Sequence, residues 1–310
     1  MKDASVVLTR PERWYDHLEM RVRDEAFARR ITDKLAAGPP DAFDVTDLRK
    51  TRPEKRLIAI AAAAVEAVLR EYGADPNRPP LSPKHVHLIA AEEMAAKIGR
   101  QAGGKTHVGH VYLCRNSDLV KFLRILTHEL THRSSFLSLV VVEDRPEAAE
   151  GNNAIVMTRR VGLGRAGLPP EREICFDGLD EAVTEILARE ARKKLVPRLE
   201  GLDAARRDEL AEVIYYPGPI MVAAKLIEKV AGEAQDFRGI RTMLVQDYVS
   251  GQTRFLDRLA EADAAAYETV RNMSPAHADA VQAAQKLGWP TLAERIARLR
   301  RGDGVQPKTP

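Results

Sequence analysis

The sequence predicts an α+β fold that is mostly helical, and three observations predict it. Toward both ends of the 310-residue chain, apolar residues recur at the three- and four-residue spacing of amphipathic helices. Short runs rich in β-branched residues, bounded by Gly, Pro, Asn and Asp, are confined to residues 84–160. The length supports one full core, near the size at which a core begins to divide. The simplest organisation is a helical N-terminal subdomain (1–83), a central core with a small mixed sheet (84–200), a helical C-terminal subdomain (201–301) and a flexible tail (302–310).

Residues 11–37 and 53–72 read as helices, the second dense in Ala, Leu, Ile and Val. The breaker cluster Asp75-Pro76-Asn77-Arg78-Pro79-Pro80 and then Pro83 mark a connector. A strand is expected over 84–90, a short helix over 91–98, a turn at Gly103-Gly104 and a second strand over 107–114. Asn116, Ser117 or Asp118 can cap a helix running over 119–137. Residues 139–143 and 154–160 form a plausible hairpin, and a Gly/Pro-rich loop over 162–170 leads to a helix capped by Asp177. From 179 almost to 301 the pattern is mainly helical, with breaks at 217–219 and 274–275 and no internal repeat.

Composition narrows the function classes. Lys plus Arg number 48 against 45 Asp plus Glu, a net charge of +3 that is too slight for a nucleic-acid footprint. The most membrane-like run, 57–69, is interrupted by Glu66 and too short to span a bilayer, so no membrane partner is expected. The first residues lack the apolar stretch of a secretory signal, and the two cysteines, Cys114 and Cys175, fall outside any CxxC pattern. A cytoplasmic protein with buried thiols is the expectation. Nothing in the sequence sets an oligomeric state.

One stretch spells out a chemistry: His128-Glu129-Leu130-Thr131-His132. On a helix, residues four apart lie one turn up the same face, so His128 and His132 can grip one metal ion while Glu129, about 100° around, stays free to handle a proton. Leu119, Leu123, Leu126, Leu130 and Leu137 fall on the opposite side, giving this helix a dry stripe facing away from the imidazoles.

A catalytic zinc commonly takes three protein ligands and leaves one position open, so a further His, Asp or Glu is required. Ser135 and Ser138 stand where the metzincin pattern needs Gly and His, and no HxxEH string exists. The remaining local candidate is Asp180-Glu181-Ala182-Val183-Thr184-Glu185. Glu181 and Glu185 share one helical face, which suits a ligand and an acid that orients an imidazole. Glu181 as ligand and Glu185 behind it is the natural division; the reverse assignment, or a solvated acidic face, stays open.

With HELTH followed by DEAVTE, the chain resembles the gluzincin metallopeptidases, the thermolysin-like family in which HExxH precedes a helix reading N-E-x-x-S-D or E-x-x-T-E. The resemblance covers about residues 84–195 and implies a zincin-like catalytic core with Zn2+ held by His128, His132 and Glu181. It also implies Glu129 as general base and Glu185 behind a ligand. Asp180 stands where that family often has Asn, and Glu181 follows His132 by 49 residues, a longer interval than in thermolysin. The compact, often cytoplasmic minigluzincins are the better comparison, and by that comparison the strand near 108–113 is the edge strand that pairs with an extended peptide.

Other candidates are weaker. His85 and His87 share a face if they lie on a strand, and His107 and His110 can line the cleft, but strand or loop positions explain all four. His17 and His277 have no supporting context. Tyr216, slightly ahead of Tyr215, is a candidate oxyanion donor. Basic runs at 192–198 and at Arg298, Arg300 and Arg301 read as solvated helix faces. The sequence therefore points to a zinc metallopeptidase acting on a peptide or protein. The alternatives are a zinc hydrolase of a non-peptide amide, or a regulatory binding protein on the same scaffold.

Overall fold

A computed structural model describes residues 16–21, 25–37, 43, 45–73, 83–98, 103–107, 109–144, 153–166, 174–232 and 235–299. The breaker cluster at 75–80, Arg300, Arg301 and the tail expected over 302–310 lie outside them. The described chain is mostly helical with two small sheets, as the α+β reading anticipates.

The smaller sheet is made of β2 (Val86–Ile89), β3 (Gly104–His107) and β4 (His110–Cys114), in the order β2-β4-β3. β2 and β4 are parallel, with α3 (Ala91–Lys97) among the elements joining them, while β3 and β4 form a hairpin closed at His107 and His110. Two expectations change here. The strand expected over 107–114 is divided by the hairpin turn, where Gly109 takes a positive φ of 81°. β4 is therefore the central strand and the edges are β2 and β3, the latter beginning at the Gly104 read as a turn residue. Gly104 is glycine because the strand runs close over its neighbours: an added Cβ would lie 2.6 Å from Ile125 and 2.8 Å from Glu129.

The larger sheet has the order β1-β5-β6-β7-β8, made of β1 (His17–Arg21), β5 (Leu137–Asp144), β6 (Asn153–Val161), β7 (Gly164–Ala166) and β8 (Ile174–Cys175). β5 and β6 pair antiparallel, as the hairpin reading anticipates. β1 departs from the helix expected over 11–37. Residues 17–21 pair in parallel with 138–142, and among the described residues of that stretch only α1 (Glu25–Ala37) is helical. Leu18, Leu139 and Val141 bury together across the pair. Long-range pairing outweighs local helical spacing there.

The main core is helical. α2 (Arg52–Glu71) starts in a capping box: Thr51 Oγ1 accepts from Glu54 N, and Glu54 Oε2 accepts from Thr51 N at 2.7 Å. It packs against α4 (Leu119–Ser134) and α5 (Asp177–Leu195), which also pack on each other. The remaining helices are α6 (Ala204–Glu212), α7 (Pro217–Ala231), α8 (Phe237–Ser250), α9 (Arg254–Ala262), α10 (Ala264–Arg271), α11 (His277–Lys286) and α12 (Pro290–Leu299). The anticipated breaks are present: Pro217 opens α7 at the position where its missing N–H costs nothing, and residues 274–275 separate α10 from α11. Further breaks follow α7 and α8 at the single glycines Gly232 and Gly251 and α11 at Gly288 and Pro290, signals left unused by the helical-spacing reading, while the break after α9 has neither residue.

Among the described residues no single helix is long and apolar enough to cross a membrane; α6 and α7 pass such a test only as a pair, with a 57° bend between them. Cys114 and Cys175 are free thiols, each half-buried rather than fully buried.

Candidate metal centre

α4 carries the HELTH segment. Asp118 caps it, its Oδ1 accepting from Val120 N at 2.9 Å and Lys121 N at 3.1 Å. The helix ends at Ser134, three residues earlier than the spacing suggests, so Leu137 leaves the dry stripe and opens β5. Leu123, Leu126 and Leu130 are buried as that stripe requires. The opposite face is buried too, because α5 covers the histidines.

α5 enters through Phe176 rather than the expected Asp177 cap. Phe176 adopts left-handed φ 60°, ψ 18°, buries its ring beside Tyr267, and accepts from Asp180 N at 2.9 Å through its carbonyl. Asp177 is thereby the first helical residue. Asp177, Glu181 and Glu185 then follow at four-residue intervals on one face of α5.

These two helices bring together His128, His132 and Glu181: one ligand atom from each lies within 4.8 Å of the others. His128 Nε2 is 3.0 Å and His132 Nε2 3.3 Å from the same oxygen, Glu181 Oε2. No other group of three such side chains among the described residues meets this test.

The far sides of the imidazoles are also held. His128 Nδ1 lies 2.9 Å from Glu185 Oε2, so it carries the proton and donates to the carboxylate. His132 Nδ1 lies 3.2 Å from Thr184 Oγ1 and 3.5 Å from Asp180 Oδ2. Tyr248 donates to Thr131 O at 3.2 Å, and Thr184 Oγ1 is 2.8 Å from the Tyr248 hydroxyl. With Tyr248's only proton committed, Thr184 donates to Tyr248 and His132 Nδ1 must be the donor to Thr184. Both imidazoles therefore turn Nε2 toward Glu181. Two histidines and one glutamate, with carboxylates behind the rings, form a donor set that fits zinc.

The charges follow from this packing. Burial alone would lower the His128 pKa, but Glu181 and Glu185 outweigh it and push it up to about 9. Burial likewise opposes protonation of His132, and Glu181 with Asp180 raises its pKa well above the usual histidine range. Glu181 shows the reverse balance: burial favours its neutral form, while His132 and His128 hold its carboxyl far below the ordinary carboxylate range. Three donors are gathered in one buried place, and the protons that two of them hold this strongly are what a bound cation would displace.

Glu129 is buried beside this group without joining it. The Thr106 hydroxyl on β3 lies 2.8 Å from Glu129 Oε2 and 2.8 Å from its carbonyl oxygen, and donates toward both. The Tyr216 ring is centred 5.6 Å from that of His128. Burial, then Glu181, Glu129, Glu185 and Asp177, push the Tyr216 pKa up, so its hydroxyl keeps its proton. Tyr215 is more exposed, its ring under the Arg124 guanidinium at 4.4 Å and centred 6.2 Å from His128.

The other histidines lie elsewhere. His87 Nε2 contacts His110 Nδ1 at 2.7 Å, and His85 Nδ1 accepts from Arg133 Nη2 at 3.0 Å. The His107 ring meets Phe43 at a 50° tilt, His17 contacts Ser138, and His277 opens α11. Sequence reasoning missed Thr106, Thr184, Tyr248 and Arg192, and gave Asp180 no role. Thr184 and Arg192 had a signal, lying four residues after Asp180 and seven after Glu185 on α5. Thr106 and Tyr248 had none, because each arrives through a separate element.

The chain matches no known family model, no curated protein and no solved structure.

Proposed function

We propose that the protein is a zinc-dependent metallopeptidase of the gluzincin type, built on a zincin-like core. The observation that carries this reading is the convergence of His128, His132 and Glu181 beside the buried Glu129 carboxylate. A binding protein needs the three ligands but has no use for a separately held base.

His128, His132 and Glu181 hold the ion, with Glu185 and Asp180 fixing the ring orientations. Zinc bound there supplies Lewis acidity, lowering the pKa of a water to about 7 and polarising a carbonyl. A Glu129 carboxylate oxygen takes the proton released when water attacks the peptide carbon, and returns it to the leaving amine nitrogen. The protonated Tyr216 hydroxyl donates to the oxygen on which charge develops. Among the described residues β3 pairs only with β4, so its other edge is where an extended peptide adds as a further strand. The half-buried free thiols favour a reducing compartment such as the cytoplasm.

Metal content and peptide-library hydrolysis, measured side by side on the wild type and Glu129→Gln, test the reading. The wild type should carry one zinc and cleave peptides; the variant should keep the zinc and lose roughly 10²- to 10⁴-fold in kcat. A wild type without stoichiometric metal, or a fully active Glu129→Gln, overturns it.

A further inference from the structure

Among the described residues, one fully buried charge is a cation that metal ligation does not use. Arg192 lies two turns beyond Glu185 on α5, within a basic run whose other members are more exposed, and its side chain is 0% exposed. Arg192 Nη2 donates to Glu185 Oε1 at 2.7 Å and to Val213 O at 2.9 Å, while Nε and Nη1 are buried without a partner. The same Glu185 Oε1 accepts from Tyr215 N at 3.2 Å, and Glu185 Oε2 faces His128 Nδ1 at 2.9 Å.

Stability alone is a poor account of this arrangement. A buried ion pair is often no more stabilising than apolar side chains of similar volume, and two unbonded guanidinium nitrogens make this one costlier. What the pair does geometrically is specific. One oxygen of Glu185 sets the His128 ring; the other, with Arg192, holds the turn at 213–215 that leads into Tyr216.

We infer that Arg192 is a positioning residue, which through Glu185 fixes both the His128 imidazole and the Tyr215–Tyr216 turn. It touches neither substrate nor ion. The inference rests on the metallopeptidase reading, but it is tested on metal binding, which needs no turnover.

The experiment compares Co2+ binding by chelator competition, the visible spectrum of the Co2+ protein and the melting temperature of the ion-free protein. It uses the wild type, Arg192→Met, Arg192→Lys and the double variant Glu185→Leu/Arg192→Met. Removing a group behind a ligating histidine weakens metal binding by about 10- to 100-fold. Arg192→Met should show a loss of that size and an altered Co2+ spectrum. The double variant, which leaves no buried charge unpaired, should melt within a few degrees of the wild type yet bind at least tenfold more weakly. Because Glu185→Leu by itself removes the group behind His128, Arg192→Lys, which keeps the buried charge but loses the bridge from Glu185 to Val213 O, decides the case if Arg192→Met does not fold: it should bind Co2+ at least tenfold more weakly than the wild type. A purely structural Arg192 moves the melting temperature and leaves affinity and spectrum alone, so a folded variant that binds Co2+ like the wild type overturns the inference and spares the function. A wild type that binds no metal overturns both.

Discussion

On the proposed mechanism, a single hydroxyl, that of Thr106, sets up the chemistry of Glu129. A general base is useful only if its carboxylate stays where the proton is released, and Glu129 is held from β3 by a donor 2.8 Å from Oε2. A hydrogen bond to a charged group contributes about 1.5 kcal/mol or more, which corresponds to roughly tenfold in rate if it is lost in the transition state. Thr106→Val should therefore lower kcat by about tenfold with zinc content unchanged, read by steady-state kinetics and metal analysis. An unchanged kcat would mean that Glu129 holds its place by packing alone.

The same scale gives a pH dependence. In the ion-free protein the His128 pKa is raised from 6.5 to about 9, so below about 9 an incoming ion displaces a proton. Apparent metal affinity should climb from pH 6 to pH 9, about tenfold per unit for each proton displaced. The effect on folding has the opposite sense. A histidine pKa raised by folding contributes stability that is complete below 6.5 and lost as pH rises through about 9. Alkaline conditions therefore favour ion binding while weakening the ion-free cluster. Competition titrations across this range settle the first point; an affinity independent of pH would rule out proton displacement from His128.

At the scale of elements, the two site-bearing helices were legible in the sequence because their signals are local. α4 has its aspartate cap, its leucine stripe and its paired histidines; α5 repeats its acids every fourth residue. What escaped was fixed by distant partners. β1 reads as helix because helical spacing runs through the surrounding sequence, and it becomes a strand only by pairing with β5, more than a hundred residues away. The edge strand was misplaced for a related reason. Gly104 looks like a turn residue, yet it is glycine because β3 passes within contact of Ile125 and Glu129 on α4. Arg192 was hidden by composition, since a basic run reads as solvated whether or not one member turns inward.

Gly104 turns that lesson into a measurement. A Cβ there would overlap Glu129 Cγ at 2.8 Å and Ile125 at 2.6 Å, so β3 or the base must shift. Overpacking of this kind costs about 1–3 kcal/mol, and here the strain falls on the base itself. Gly104→Ala should destabilise the fold by that amount in denaturant unfolding and lower kcat beyond the Thr106→Val effect, while ion affinity holds. A variant with normal kcat would show that β3 can move without carrying Glu129.

For the whole molecule, the consequence of the site is mechanical. α4 and α5 pack on each other and on α2, and their facing sides carry charges where a core normally carries apolar side chains. An ion held by two residues of α4 and one of α5 replaces proton-mediated contacts with a direct link between the helices at the centre of the fold. Because it binds the native chain and not the unfolded one, it stabilises by mass action, by about 4 kcal/mol at a free concentration 1,000 times its dissociation constant. At roughly 2 °C per kcal/mol for a chain of this size, saturating zinc should raise the melting temperature by several degrees, and a chelator should reverse the shift. Glu181→Gln should abolish most of that shift without abolishing folding, since it removes the one ligand contributed by α5. If zinc leaves the melting temperature of the wild type unchanged, the three side chains meet as an ion-pair cluster and the link between α4 and α5 is made by protons alone.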